Sequence, residues 1–222
     1  MVVWGGYELT QGWRYEVLAW SVGGGVAIVL CLGLTRLQLE HWKDSEALWR
    51  YALKVTEDNY MAHYCLSMAL DEKDESEEAI RQFQEAIRLK LDSAEAHNNL
   101  GVALAKKGRT EEAIHQYQEA LRLRPDYALA HHNLGAALYR KGSNDEAIRQ
   151  YQEAIRLKPD HAEAYNNLGA ALYRKGRTAE AIRQFQEALR LKPDYAAASN
   201  NLELGLATKA DSSMPASAST NR

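Results

Sequence analysis

The sequence predicts an all-α protein: a solenoid of stacked helical hairpins preceded by one membrane-spanning helix. Three observations predict it. A block of 34 residues is written twice in succession, 128–161 and 162–195 sharing 25 of 34 positions. The same frame runs back through 94–127 and, more loosely, through 60–93. Val17–Thr35 is a run of 19 residues without a charge. A fixed period sets the architecture, because each unit leaves an apolar flank that only its neighbour can cover.

From the start of the chain, 1–16 is a short mixed segment with Trp4, Trp13 and Tyr15. The uncharged run 17–35 would make a helix roughly 28 Å long, close to the hydrocarbon core of a bilayer. Glu16 and Arg36 bracket it, with Trp13, Trp20 and Trp42 near its ends, where aromatic side chains sit at the interface. Gly23–Gly25 would weaken a helix in water but are common in membrane helices. Ala19, Gly23 and Ala27 form a small-residue stripe on which another membrane helix can pack. The expected localisation is therefore a single-pass membrane protein.

Residues 36–59 continue without Pro or Gly. Asp44 or Ser45 can cap a helix to about Val55, with Trp49, Ala52 and Leu53 inward, the second half of a degenerate repeat. Four full blocks follow: 60–93, 94–127, 128–161 and 162–195. In the third, Leu134 and Leu138, then Ala147, Ile148, Tyr151, Ala154 and Ile155, fall at helical spacing in two runs. Gly142 stops the first helix, a Ser143-Asn144 turn caps the second, and Pro159 ends it. Residues 196–209 repeat the first-helix pattern once more as a capping helix, Glu203 standing where the other blocks have Gly. Residues 210–222 lack periodicity and read as a disordered tail.

With Leu100-Gly101, Leu134-Gly135 and Leu168-Gly169 in the first helices, Ala113/Ala120, Ala147/Ala154 and Ala181/Ala188 in the second, and Pro125, Pro159 and Pro193 after them, the blocks resemble the tetratricopeptide repeat (TPR). The resemblance implies a right-handed superhelical TPR solenoid. The first full block departs from it, with Ser67, Asp74 and Leu91 in place of two glycines and the proline. The large aromatic usual at the fourth place of the first helix is here His63, His97, His131 or Tyr165.

One position in each first helix carries asparagine: Asn99, Asn133, Asn167 and Asn201. Spaced by one period, these amides should line the inner wall as a ladder, either offering donors and acceptors to an extended peptide main chain or bonding only locally within the repeats. Cys65 replaces the first rung. The repeat domain of O-linked N-acetylglucosamine transferase is similar, and the resemblance implies that such asparagines grip peptide. Asn98, His132 and Asn166, one place earlier, are expected as oblique secondary contacts. Tyr139, Arg140, Tyr173 and Arg174 lie beside the ladder as candidates for stacking and charge, or as a solvated rim.

The stretch 13–63, a membrane helix followed by QLEHWKDSEALWRYALKVTEDNYMAH and tandem repeats, resembles the end of the transmembrane-and-TPR protein O-mannosyltransferases. That resemblance implies a truncated relative, or one whose catalytic membrane part lies elsewhere, and gives an alternative function: the acceptor-recruiting part of a sugar transferase system. It also places the repeats in the periplasm or lumen. Arg36, Lys43, Arg50 and Lys54, against Arg14 alone on the other side, favour the cytoplasm; the reading leans to the outer side.

A net charge of −3 with mixed signs gives no basic field for a nucleic acid. Cys31 and Cys65 lie in different elements and predict no disulfide. His131-His132 point about 100° apart on a helix with no partner at helical spacing, so no metal is expected. No phosphate loop, nucleophile or acid/base pair is present, and no cofactor is expected. Glu85/Arg88, Glu119/Arg122, Glu153/Arg156 and Glu187/Arg190 read as solvated i,i+3 pairs. The chain is thus expected to be a non-enzymatic, membrane-tethered scaffold whose partner is a protein or peptide segment.

Overall fold

The computed structural model describes residues 44–73, 76–90 and 92–213. The proposed span at 17–35, its small-residue stripe, Asp74, Leu91 and the end of the tail lie outside the described residues. The chain divides into two units, 1–57 and 58–222. In the first, helix α1 runs Ser45–Val55. The Asp44 side chain caps it, accepting from the Glu46 N–H, and Lys54 in the last turn complements the carbonyl end. Trp49, Ala52 and Leu53 are half-buried. Among the described residues no helix is long and apolar enough to cross a membrane.

The second unit holds nine helices among its described residues: α2 (Tyr60–Glu72), α3 (Ser76–Leu89), α4 (Ala94–Lys106), α5 (Thr110–Leu123), α6 (Ala128–Lys141), α7 (Asn144–Leu157), α8 (Ala162–Arg174), α9 (Thr178–Leu191) and α10 (Ala196–Ser213). Each block is one antiparallel hairpin, and each second helix packs between its own first helix and the next block's. First helices also touch across blocks (α4 with α6, α6 with α8, α8 with α10), whereas second helices make no comparable contact with one another. The stack therefore bends toward its first helices, which form the inner wall.

The hairpin closes on a glycine. Leu100, Leu134 and Leu168 are buried, and beside each lies a glycine so close to an aromatic ring that no side chain fits. A Cβ on Gly101 would come 2.6 Å from Tyr117, on Gly135 2.8 Å from Tyr151, and on Gly169 2.5 Å from Phe185. The paired alanines of the second helices are fully buried one turn to either side of each ring, on the same face of its helix. In the first block Ser67 takes the glycine's place, buried, its hydroxyl donating to the Tyr64 carbonyl at 2.6 Å. The ring it faces is Phe83, which meets Tyr64 edge-on at 6.0 Å between centroids.

Two local expectations change. Gly142 does end α6 in the left-handed region, at φ +92°. Ser143, however, makes no side-chain cap: its backbone (φ −77°, ψ 63°) is not the extended conformation from which a hydroxyl reaches the first turn. The capping helix also outruns its expected end at 209 and continues to Ser213. Nothing from Ala207 onward breaks a helix until Pro215, so the first four residues of the expected tail are helical.

Because Tyr151 is itself buried and cannot swing away, Gly135→Ala is expected to cost about 1–3 kcal/mol of unfolding free energy in urea melts. Gly142→Ala, with open space around it, should show only the smaller backbone strain of about 1 kcal/mol. Equal losses for the two would mean that the ring contact is not what requires the glycine.

Candidate functional site

The four asparagines stand on the inner wall, one per first helix from α4 to α10, and each reaches back to the preceding block. Asn99 Nδ2 donates to Tyr64 Oη at 2.9 Å, Asn133 to Asn98 Oδ1 at 2.9 Å, Asn167 to His132 Nε2 at 3.0 Å, and Asn201 to Asn166 Oδ1 at 2.9 Å. Within a helix, Asn98 donates to Asn99 Oδ1 at 3.1 Å and Asn166 to Asn167 Oδ1 at 3.3 Å. A zigzag of polar groups thus runs along the wall, its donors pointing toward the chain's start.

Asn98 and Asn166 are 1% and 5% exposed, so they are inside the stack and not the oblique surface contacts expected from their position. Each is covered by the ladder asparagine of the following block's first helix, to which it supplies the acceptor. The rung asparagines themselves are half-buried.

His132 breaks the pattern of Asn98 and Asn166. Because Nε2 accepts from Asn167, its proton sits on Nδ1, which is buried without a hydrogen-bond partner. The ring packs on Tyr151 (5.8 Å between centroids) and on His161 (4.7 Å), which stands where the neighbouring blocks have Tyr127 and Tyr195. The Nε2 of His161 lies 3.3 Å from Glu163. Burial, then the His161 ring, pushes His132 down from 6.5 to about 4; Glu163 and the Asn133 amide oppose this weakly.

A second row of cross-block bonds runs near the ends of the first helices. Lys106 Nζ pairs with Asp71 at 2.7 Å. Arg140 instead donates to the Ala105 carbonyl at 3.2 Å and Arg174 to the Tyr139 carbonyl at 3.1 Å. The Arg174 guanidinium stacks on Tyr139, 3.9 Å from the ring centroid, and Tyr173 bonds to Thr208 at 2.7 Å. Between the two rows a pocket of about 220 Å³ opens, lined by Ala136, Tyr139, Arg140, Tyr151, Asn167 and Ala170. It joins residues singled out from sequence in two neighbouring blocks.

Sequence reasoning passed over one set of partners. His63, His97 and His131 each bond through Nδ1 to Gln82, Gln116 and Gln150, at 2.7, 2.8 and 2.8 Å, joining the two helices of a hairpin. The signal was a His–Gln spacing of 19 residues repeated three times, with Tyr165 ending the series. Among the described residues no group of three His, Cys, Asp or Glu side chains could hold a metal ion. Cys65 is a half-buried free thiol.

The hairpins, their glycine–ring closure and their cross-block bonds define a helical-repeat scaffold. The chain belongs to the tetratricopeptide repeat family: the family's TPR repeat profile matches residues 69–108, 103–142 and 137–176, and its tetratricopeptide repeat profile matches 162–195. No curated protein matches the chain. Among solved structures it is similar to MamA (30% identity over 67% of this chain and 86% of that one, TM-score 0.63). A second MamA structure is 27% identical over 77% of this chain and 93% of its own, with a TM-score of 0.64. YrrB, described as a TPR protein with an unusual peptide-binding site, shares the fold at 24% identity, covering 78% of this chain and 87% of its own, with a TM-score of 0.64. These comparisons lend no support to the mannosyltransferase or N-acetylglucosamine transferase resemblance, and nothing in them points to a catalytic site.

The unfolded chain protonates the His132 imidazole below about 6.5, whereas the folded chain does so only near 4, so the unfolded state binds the extra proton in between. Stability should therefore fall as pH drops through that window. His132→Asn, which restores the residue of the adjoining blocks, should remove roughly 3 kcal/mol of that loss, read from urea melts at pH 7.5 and pH 4. Parallel pH slopes for the two proteins would show that the imidazole titrates as it does in water.

Proposed function

We propose that this chain is a membrane-tethered scaffold that holds an extended segment of another protein in the inner groove of its TPR stack. One observation carries the reading. The large apolar side chains left exposed in the described part of the repeat unit are Met61, Met68, Leu129, Leu204 and Leu206, all of them on first helices. Met68 and Leu204 stand in the same row as the pocket residues Ala136 and Ala170. The second helices of that unit expose no large apolar side chain among the described residues and turn outward polar and charged groups, including Glu85–Arg88, Glu119–Arg122, Glu153–Arg156 and Glu187–Arg190 at 2.6–2.8 Å. An apolar wall with a row of amides suits a peptide, whose main chain needs hydrogen bonds while its side chains need burial.

The asparagines would serve this peptide in a restricted way. One N–H of each amide is committed to the block behind it, so a ligand exchanges or shares those bonds instead of meeting bare donors. The tether is the uncharged run 17–35, with the repeats on the outer side.

Peptides selected from a displayed random library on the full chain in detergent test the groove. Ala136→Trp and Ala170→Trp fill the pocket and leave the amide zigzag intact, and each should weaken the selected peptides at least about tenfold with an unchanged melting curve. Equal binding by the filled variants would move the site to another surface. For the tether, alkaline carbonate should leave the full chain in the membrane pellet and release a chain lacking residues 1–43; release of both would remove the membrane from the reading.

A further inference from the structure

Resting on the groove reading, we infer that the inner face selects a segment bearing a carboxylate side chain, seated between α6 and α8 against Arg140. The pocket there, about 220 Å³, is smaller than the roughly 300–1,000 Å³ typical of small-molecule sites and suits a single side chain. Its floor is the Tyr151 ring, its small walls are Ala136 and Ala170, and its polar edge is Arg140 and the Asn167 amide.

The charge in this part of the wall is unbalanced. At the same place one block earlier, Lys106 is neutralised by Asp71. Arg140 and Arg174 instead face main-chain carbonyls at the ends of the preceding helices and form no ion pair with a carboxylate among the described residues. The arginines of the outer pairs each have a glutamate on their own helix.

The two guanidiniums are also held in place. Each uses one N–H to bond a carbonyl, and Arg174 is stacked on Tyr139, whose ring forms a wall of the pocket. A guanidinium has five N–H donors in a fixed fork that matches a carboxylate, so most of the fork of Arg140 remains available to a ligand. Of the inner-wall carboxylates, Asp71 and Glu95 are bound to Lys106 and Arg124, and Glu163 sits beside His161. The pocket lining itself holds no carboxylate, so an incoming one meets Arg140 without a like charge in the lining. An apolar or aromatic side chain would fill the space but shield the Arg140 guanidinium from water without matching its charge, which is the costlier arrangement.

The test is the same displayed library, panned on the full chain, with the enriched sequences synthesised and measured by fluorescence anisotropy. Enriched peptides should share an Asp or Glu at one fixed position. Changing it to Gln or Asn should weaken binding about tenfold or more, as for a charge-assisted hydrogen bond. Arg140→Gln should weaken the acidic peptide by a similar factor yet leave the amide peptide unchanged. Melting curves and binding of the amide peptide report whether the variant is folded. Enrichment without an acidic position, or independent losses from the two changes, would overturn the carboxylate site and leave the groove standing. No enrichment on a folded chain would overturn the groove and this inference together.

Discussion

An aromatic ring pressed against a glycine sets the spacing of everything else in the repeat unit. At Gly101, Gly135 and Gly169 the facing ring occupies the volume a Cβ would need, so the two helices of a hairpin meet at one distance and one rotation. The helix that carries the ring then packs against the next block. Since each hairpin repeats the same closure, successive first helices are displaced by a constant step, and residues 35 apart in sequence come within hydrogen-bond reach. The cross-block bonds of the asparagines, of Lys106 and the arginines, and of Tyr173 with Thr208 all have that separation. They follow from the pitch and then help to hold it.

The inner wall consequently does two things with one set of groups. A buried amide left without a partner would cost about 1–3 kcal/mol, so Asn98 and Asn166 require the rung asparagines that bond them. Those same rungs face the groove. Scaffold and binding surface are therefore not separable at the asparagines, whereas they are separable at Ala136 and Ala170, which line the pocket and carry no polar atom. This is a general property of repeat arrays with a polar inner row: the residues most exposed to a ligand are also the joints between units, so a bound chain that spans several rungs would stiffen the stack.

Most of the repeat architecture was legible in the sequence because the period itself is a geometric statement. Leu-Gly in one helix and Tyr or Phe in the other, 16 residues on, can be satisfied only by close approach. The turn at Gly142 and the stops before Pro125, Pro159 and Pro193 were legible for backbone reasons. What the period could not show was the direction of each side chain within a half-buried row. Asn98 and Asn133 are both asparagines on the same wall, and only the 35-residue offset between helices decides that one is sealed inside and the other lines the groove. The end of α10 was misjudged for a different reason: loss of periodicity reports loss of a packing partner, not loss of helix, and the absence of a breaker before Pro215 was the better guide.

In an array this regular, the departures from the repeat hold the information about function. Tyr117 and Tyr151 replace the phenylalanine of the flanking blocks in the middle of the stack, and His132 with His161 replaces an asparagine with a tyrosine at the same level. Arg140 and Arg174 replace a lysine that has a carboxylate partner by guanidiniums that have none. None of these is needed to close a hairpin, since neighbouring blocks close without them. Of these, Tyr151 and Arg140 line one pocket between α6 and α8, together with the Asn167 that bonds His132. The bonds these groups make hold the pitch, and the donors of Arg140 left over after its one carbonyl bond are the part that a group from outside the chain completes.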